Sequence, residues 1–145
     1  MANEIAVIDA SLVIKAILPN PEFARCQAVL AQLKDRRLIV PALWIYEITS
    51  ALAKAVHFKQ LTASEARSAL HQAMSLGVQV ILPDETQANL AFDQTLQLNR
   101  AAAYNSFYLA TANALDADFW TADQRLVHSF QGNKPAWLHG VDEVN

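Results

Sequence analysis

The sequence predicts an α/β fold in which a parallel sheet of about four to five strands carries helices on both faces. Short apolar segments alternate with helical patterns almost throughout the chain, which is typical of parallel strands joined by right-handed crossovers. Carboxylates follow the first and the fourth of these segments, as Asp9 and Asp123. The carboxyl ends of parallel strands meet at one edge, where open α/β sheets bind ligands.

Length and composition favour one soluble domain over residues 1–145, since 53% of the residues are hydrophobic, 17% are charged and only 3 are glycine. The single Cys26 excludes an intrachain disulfide framework. The net charge of -3 argues against tight nucleic-acid binding by charge alone, but it leaves open an enzyme whose acids are offset by a metal. No basic leader or apolar run of about 18 residues is visible, so we expect a cytoplasmic chain without a membrane partner.

The first strand is an apolar run over residues 5–8 that indicates burial on both faces. Asp9 closes this run, and Ser11 is expected to cap the helix that follows. Two interpretations of Asp9 stay open at this point. It is either a helix cap or a carboxylate at a ligand-binding edge.

The other elements follow from apolar spacing and from helix and strand ends. Pro41 ends the second strand and suits the first position of a helix. Thr62 and Glu65 form a capping-box pattern, and Gly77 ends that helix. The expected helices are 12–18, 22–35, 41–58, 62–76, 84–99, 101–115 and 126–130, and the other expected strands are 38–40, 78–82, 119–121 and 136–138.

Two helices carry informative side chains. In the helix at 41–58, Glu47 stands among large apolar neighbours, where a free carboxylate is costly to desolvate. It is either a rim residue that reaches water or part of a charged site. In the helix at 84–99, Ala88, Phe92 and Leu96 are spaced to form the face that packs on the core.

Converging carboxylates favour a bound divalent cation, because like charges at short distance repel. Oxygen ligands without Cys or His suit Mg²⁺ or Mn²⁺ rather than Zn²⁺, and the four histidines show no ligand spacing. Such an ion can hold a phosphate oxygen beside an activated water. Phosphodiester hydrolysis is the chemistry that this predicts.

Four short motifs occur in series over nearly the whole chain, and together they resemble the PIN-domain family, in particular its VapC-type toxins. They are Val-Ile-Asp-Ala-Ser at 7–11, Glu47 after Pro41, Tyr-Asn-Ser-Phe-Tyr-Leu-Ala at 104–110 and Trp-Thr-Ala-Asp at 120–123. The resemblance implies a three-layer α/β/α sandwich and a Mg²⁺- or Mn²⁺-dependent endoribonuclease that hydrolyses RNA phosphodiesters. It also implies a homodimer and a small inhibitory antitoxin.

Carried over by position, the resemblance assigns Asp9, Glu47 and Asp123 as the catalytic acids that hold the metal. It makes Ser11 and Thr121 contacts to water around the metal, or supports of the acids.

Asn105 departs from the family pattern, which has an acid at this place. Its amide oxygen can still coordinate Mg²⁺, but it adds no negative charge. A binding module of the same fold that does not cleave is therefore the alternative function. Asp93 and Asp118 are badly placed to compensate. A phosphatase is disfavoured because Ser11 stands where a second acid is needed, and a receiver domain is disfavoured because neither an acidic pair near Asp9 nor a lysine at the end of a late strand is visible.

Overall fold

The centre of the structure is a five-stranded parallel sheet, as predicted. This computed structural model describes residues 4–100 and 102–143. The strands are β1 (Ile5–Ile8), β2 (Arg37–Pro41), β3 (Gln79–Ile81), β4 (Asp118–Thr121) and β5 (Leu138–Gly140). All neighbours pair in parallel in the order β3-β2-β1-β4-β5, which confirms the expected α/β class.

Helices cover both faces of this sheet. The helices are α1 (Ala10–Ile17), α2 (Phe23–Gln32), α3 (Leu43–His57), α4 (Ala63–Met74), α5 (Glu85–Gln97), α6 (Tyr104–Leu115) and α7 (Gln124–His128). Helices α1 to α4 pack on one another, while α5 packs on α6 and α6 lies on β1, β2 and β4. Across the described ranges, no helix combines the length and the apolar character that crossing a membrane requires.

The order of the strands places β1 at the point where the chain changes direction. The chain runs outward from β1 through β2 to β3, then returns to β4 on the other side of β1. The carboxyl ends of β1 and β4 therefore flank the switch point of the sheet, which is the usual ligand position in this class of fold. The two strands are in register, with Ile8 opposite Trp120.

The core confirms the prediction for the first strand. Ala6, Val7 and Ile8 are completely buried, as is Phe119 on the neighbouring β4. Trp44 of α3 is also completely buried. Burial on this scale contributes roughly 1.5–3 kcal/mol for each large side chain, so these central strands hold the switch point in place.

The expected start of α3 at Pro41 is wrong by two residues, because pairing with β3 keeps Pro41 in the sheet. Pro41 lies opposite Ile81 in the sheet, and the N–H of Ala42 donates to the Ile81 carbonyl at 2.9 Å. Helix α3 begins only at Leu43.

The predicted core face of α5 is also wrong. Ala88 is exposed, and Phe92 and Leu96 are 61% and 63% exposed. The buried residues of this helix are Ala91 and Thr95, on the side that packs against α6. Because α6 already covers the sheet, α5 forms an outer layer and needs only a narrow row of small residues for its contact.

Candidate active site

Asp9 occupies the junction between β1 and α1 and is 3% exposed. One carboxylate oxygen, Oδ1, accepts hydrogen bonds from the Leu12 N–H at 3.0 Å and from the Ser11 hydroxyl at 2.7 Å. Asp9 is thus the N-cap of α1, and the expectation that Ser11 is the cap is wrong. Ser11 instead donates its hydroxyl to Asp9. The two interpretations of Asp9 are therefore compatible, because the residue that caps α1 also carries the carboxylate at the edge of the sheet.

Thr121 joins Asp9 to the end of β4. The completely buried Thr121 hydroxyl donates to Asp9 Oδ2 and accepts from the Asp123 N–H at 2.9 Å. This hydroxyl therefore sets the position of one acid against the backbone of the other. The predicted proximity of Asp9 and Asp123 follows from the pairing of β1 with β4.

Asp123 caps α7 in the way that Asp9 caps α1. Its Oδ1 accepts from the N–H groups of Arg125 at 3.0 Å and Leu126 at 3.4 Å. Its Oδ2 accepts from the side-chain nitrogen of Asn105 at 3.2 Å. Asn105 lies in the first turn of α6 and so joins the same edge from a third element. Its amide also carries a carbonyl oxygen, the atom of this side chain that coordinates cations.

Glu47 approaches this edge from α3 and makes a separate contact. Its Oε1 accepts the hydroxyl of Tyr108 at 2.5 Å. Tyr108 is completely buried, and its ring stacks on that of Phe119 with centroids 5.7 Å apart. Glu47 is half-buried and lines an open groove, so it lies at a rim that reaches water and is also held by a buried phenol.

Burial raises the pKa of the acids at this edge. For Asp9, desolvation raises the pKa from 3.8 to about 6, against the hydrogen bonds from Thr121, Ser11 and Leu12, and the charge of Glu47 raises it further. For Glu47, desolvation also raises the pKa, and the Tyr108 hydrogen bond opposes the rise. Both acids therefore carry a desolvation cost that a nearby cation would offset.

The donor set fits a hard divalent cation, since Asp9, Asp123 and Asn105 all offer side-chain oxygen. Within residues 4–100 and 102–143, however, no group of three or more His, Cys, Asp or Glu is close enough to hold a metal ion. Asp9 and Asp123 are joined through Thr121, whereas Glu47 makes a separate contact with Tyr108. Mg²⁺ keeps several waters and is commonly bound through one or two carboxylates, so this arrangement suits an ion with few direct ligands.

The other acids considered from the sequence lie elsewhere. Asp93 is exposed on α5. Asp118 begins β4, at the opposite edge of the sheet, where it pairs with Arg36 at 2.8 Å and lies 3.3 Å from His139. Neither replaces the acid that Asn105 lacks.

Sequence reasoning missed the role of Tyr108 and a groove beside Glu47. Tyr108 follows Asn105 by three residues, so both lie on one face of α6, and that spacing was the available signal. The groove consists of two adjoining open pockets that share Leu43, Tyr46 and Tyr104. Glu47 and Lys54 line the first pocket. The second pocket is apolar and is lined also by Leu82 and Phe107.

These features define an open parallel α/β protein with oxygen donors from four elements at the switch point. The chain belongs to the PIN domain family, whose sequence profile matches residues 7–134. The resemblance seen in the sequence motifs is thereby confirmed at the level of the family. A comparison with curated protein sequences finds no match.

Solved structures share the fold at low sequence identity. The crystal structure of VapBC2 from Rickettsia felis bound to a promoter DNA fragment has a TM-score of 0.68 at 13% identity, covering 94% of this chain and 98% of that one. PAE2754 from Pyrobaculum aerophilum has a TM-score of 0.69 at 16% identity, covering 96% and 85%. VapC20 from Mycobacterium tuberculosis, described as a sarcin-ricin loop cleaving toxin, has a TM-score of 0.62 at 11% identity, covering 81% and 87%.

Proposed function

We propose that this chain, as one PIN-like domain over residues 1–145, is a metal-dependent endoribonuclease and the toxin of a toxin–antitoxin pair in the cytoplasm. The observation that carries the proposal is the hydrogen-bonded series from Asp9 through Thr121 and Asp123 to Asn105 at the switch point. Similarity in fold to a VapBC complex and to a VapC toxin described as cleaving the sarcin-ricin loop supports it.

Asp9 and Asp123 would hold a Mg²⁺ or Mn²⁺ ion, with the amide oxygen of Asn105 as a further ligand and Glu47 facing the ion through water. The ion would supply a positive charge for a phosphate oxygen and would favour ionisation of a nearby water. Ser11 and Thr121 act on the acids rather than on substrate. Their hydroxyls donate to Asp9, which directs its carboxylate and favours its ionised form.

Glu47 is the residue placed to move a proton. Its Oε1 is occupied by the Tyr108 hydroxyl, so Oε2 would accept the proton of the attacking water. As the new P–O bond forms, the P–O bond to the leaving oxygen would break, and that oxygen would keep the bonding electrons and take up a proton from solvent. A carboxylate whose pKa is raised by burial is a better base than a fully solvated one.

The test is cleavage of a single-stranded RNA by the purified chain in Mg²⁺ or Mn²⁺. We expect activity that a chelator abolishes and that Asp9→Asn lowers by roughly a hundredfold or more. Asp93→Asn, which removes an exposed acid from α5, is the matched control and should keep full activity. Metal-dependent cleavage that persists in Asp9→Asn would overturn the proposal.

A second candidate function rests on Asn105. Its side-chain nitrogen donates to Asp123, and it brings no charge to a site where the family pattern has an acid. The alternative is a binding module that holds RNA or a protein partner without cutting it. Native protein that binds RNA but cleaves it only after Asn105→Asp would favour this alternative.

For the partner, we propose a small antitoxin that occupies the apolar groove beside Glu47. An inhibitor of the reaction has to cover the acids, and this groove shares Glu47 with the candidate site. Leu82, which is 81% exposed, and Tyr46 supply apolar area for such a contact. Structures of VapBC complexes from other organisms share the fold.

We further propose a homodimer formed through α5. Its exposed apolar face, Ala88, Phe92 and Leu96, is a separate surface from the groove, and the antitoxin does not need it to reach the acids. Exposed apolar area of this kind is typical of a protein interface.

A further inference from the structure

Tyr108 contacts one of the candidate-site acids, Glu47, from within the core. Its ring is completely buried and lies parallel to Phe119 of β4, with 4° between the planes. Its hydroxyl emerges from this packing and donates to Glu47 Oε1 at 2.5 Å. The contact joins α6 to α3, two helices from different layers of the fold.

We infer that Tyr108 is a positioning residue that holds the Glu47 carboxylate toward the metal site, an inference that rests on the proposed function. Glu47 is half-buried and has three rotatable side-chain bonds, and fixing them costs conformational entropy. A rigid phenol that binds Oε1 removes most of that freedom and leaves Oε2 for the site. Partners of this kind typically change metal affinity or activity by 10- to 100-fold when removed.

The chemistry of the pair supports the direction of the hydrogen bond. A phenol keeps its proton at neutral pH, so Tyr108 donates and Glu47 accepts. Hydrogen bonds to an ionised acceptor are shorter and stronger than neutral ones. The contact therefore favours Glu47 in the ionised form, which can face a cation.

A simpler role for Tyr108 is packing alone. The stacking on Phe119 needs only the ring, and phenylalanine would provide the same ring. The hydroxyl is what distinguishes the two roles, so the test removes the hydroxyl and keeps the ring.

The experiment measures Mn²⁺ binding by isothermal calorimetry and by electron paramagnetic resonance, alongside RNA cleavage. The proteins are the native chain, Tyr108→Phe, Glu47→Gln and the double variant. Thr111→Val is the matched control, because it removes another buried hydroxyl of α6 that donates only to the Phe107 carbonyl. We expect Tyr108→Phe to weaken Mn²⁺ binding about tenfold in the native background, with no further loss in the Glu47→Gln background. Thr111→Val should bind Mn²⁺ like the native chain.

A second measurement leaves Tyr108 in place. In the proton NMR spectrum, a slowly exchanging hydroxyl proton coupled to the Tyr108 ring should be present in the native chain and lost in Glu47→Ala. Absence of this resonance from the native spectrum would overturn the inference even if Tyr108→Phe does not fold.

The outcomes separate the inference from the proposed function. The inference is overturned, and the nuclease proposal is not, if Tyr108→Phe binds Mn²⁺ with native affinity. The same holds if Tyr108→Phe lowers Mn²⁺ affinity equally in the native and the Glu47→Gln backgrounds. A native chain that binds Mn²⁺ with this dependence on Tyr108 but cuts no RNA overturns the nuclease and supports the inference. A native chain that binds no Mn²⁺ overturns both.

Discussion

The hydroxyl of Thr121 donates a hydrogen bond to the carboxylate of Asp9 and so joins the ends of neighbouring strands that lie 112 positions apart in the sequence. The same hydroxyl accepts from the Asp123 N–H. One buried side chain therefore relates the two acids that are proposed to hold the metal. A displacement of the Thr121 hydroxyl would therefore displace both Asp9 and Asp123.

Replacing Thr121 with valine should lower RNA cleavage by roughly 10- to 100-fold, because both acids lose the group that orients them. The change also leaves the Asp123 N–H without its partner, which should lower the free energy of unfolding by about 1–3 kcal/mol. Cleavage rates and urea denaturation measure the two effects. Serine at this position restores the hydroxyl and should recover most of the activity. If Thr121→Val cleaved RNA at the native rate, the hydroxyl would have no part in the reaction.

Replacing Asn105 with aspartate should increase metal affinity, because it returns a negative charge to the site beside Asp123. We expect the Mg²⁺ or Mn²⁺ concentration for half-maximal cleavage to fall by about tenfold. A cleavage titration over both metals, with native chain and variant side by side, measures this. Identical titration curves would indicate that the amide is tolerated without loss.

The stability of the metal-free chain should depend on the ionisation of Asp9. Its pKa rises from 3.8 to about 6 on folding because the carboxyl group is buried, so between these values the folded state binds more protons than the unfolded state. Stability should therefore increase as the pH falls from 7 toward 4, by up to roughly 3 kcal/mol from this group.

Urea denaturation across that pH range, in the presence of a chelator, measures the effect. Asp9→Asn removes the titrating group, so this contribution to the change of the free energy of unfolding with pH should disappear. A native slope of the opposite sign that Asp9→Asn leaves unchanged would contradict the assignment of this pKa to Asp9.

Polar substitutions on the outer face of α5 should disrupt self-association without harming the fold. Phe92 and Leu96 are mostly exposed, so Phe92→Ser with Leu96→Gln removes little buried area from the monomer, and the melting temperature of the dissociated chain should stay within a few degrees. Analytical ultracentrifugation should show a dimer for the native chain and a monomer for the variant. Val7→Ser, in the completely buried β1, is the contrasting control and should unfold the chain. If the double variant remains dimeric, the dimer interface is not formed by this face of α5.

Local pattern predicted much of this protein. Alternating apolar runs and helical segments predict the parallel sheet. The residue types at Thr62 and Glu65 predict a capping box, which is present in the structure. Asp9, Asp123, Asn105 and Glu47 could be nominated in the same way, because strand ends and first helical turns are visible in a sequence.

The face of α5 could not be predicted, because periodicity shows that a helix has an apolar side and does not show what covers it. Phe92 and Leu96 follow core spacing, yet α6 already fills the space against the sheet. The start of α3 could not be predicted either, because Pro41 pairs with the distant Ile81 and so belongs to β2.

The sequence by itself determined the class of fold and the residues that reach the carboxyl edge, since both depend on patterns a few residues long. Only the tertiary structure decided which of them touch. The links from Thr121 to Asp9 and from Tyr108 to Glu47 span 112 and 61 positions. Such contacts depend on the order of the strands and on how the layers pack. Sequences with the same local pattern can differ in both, so the local pattern does not predict these contacts.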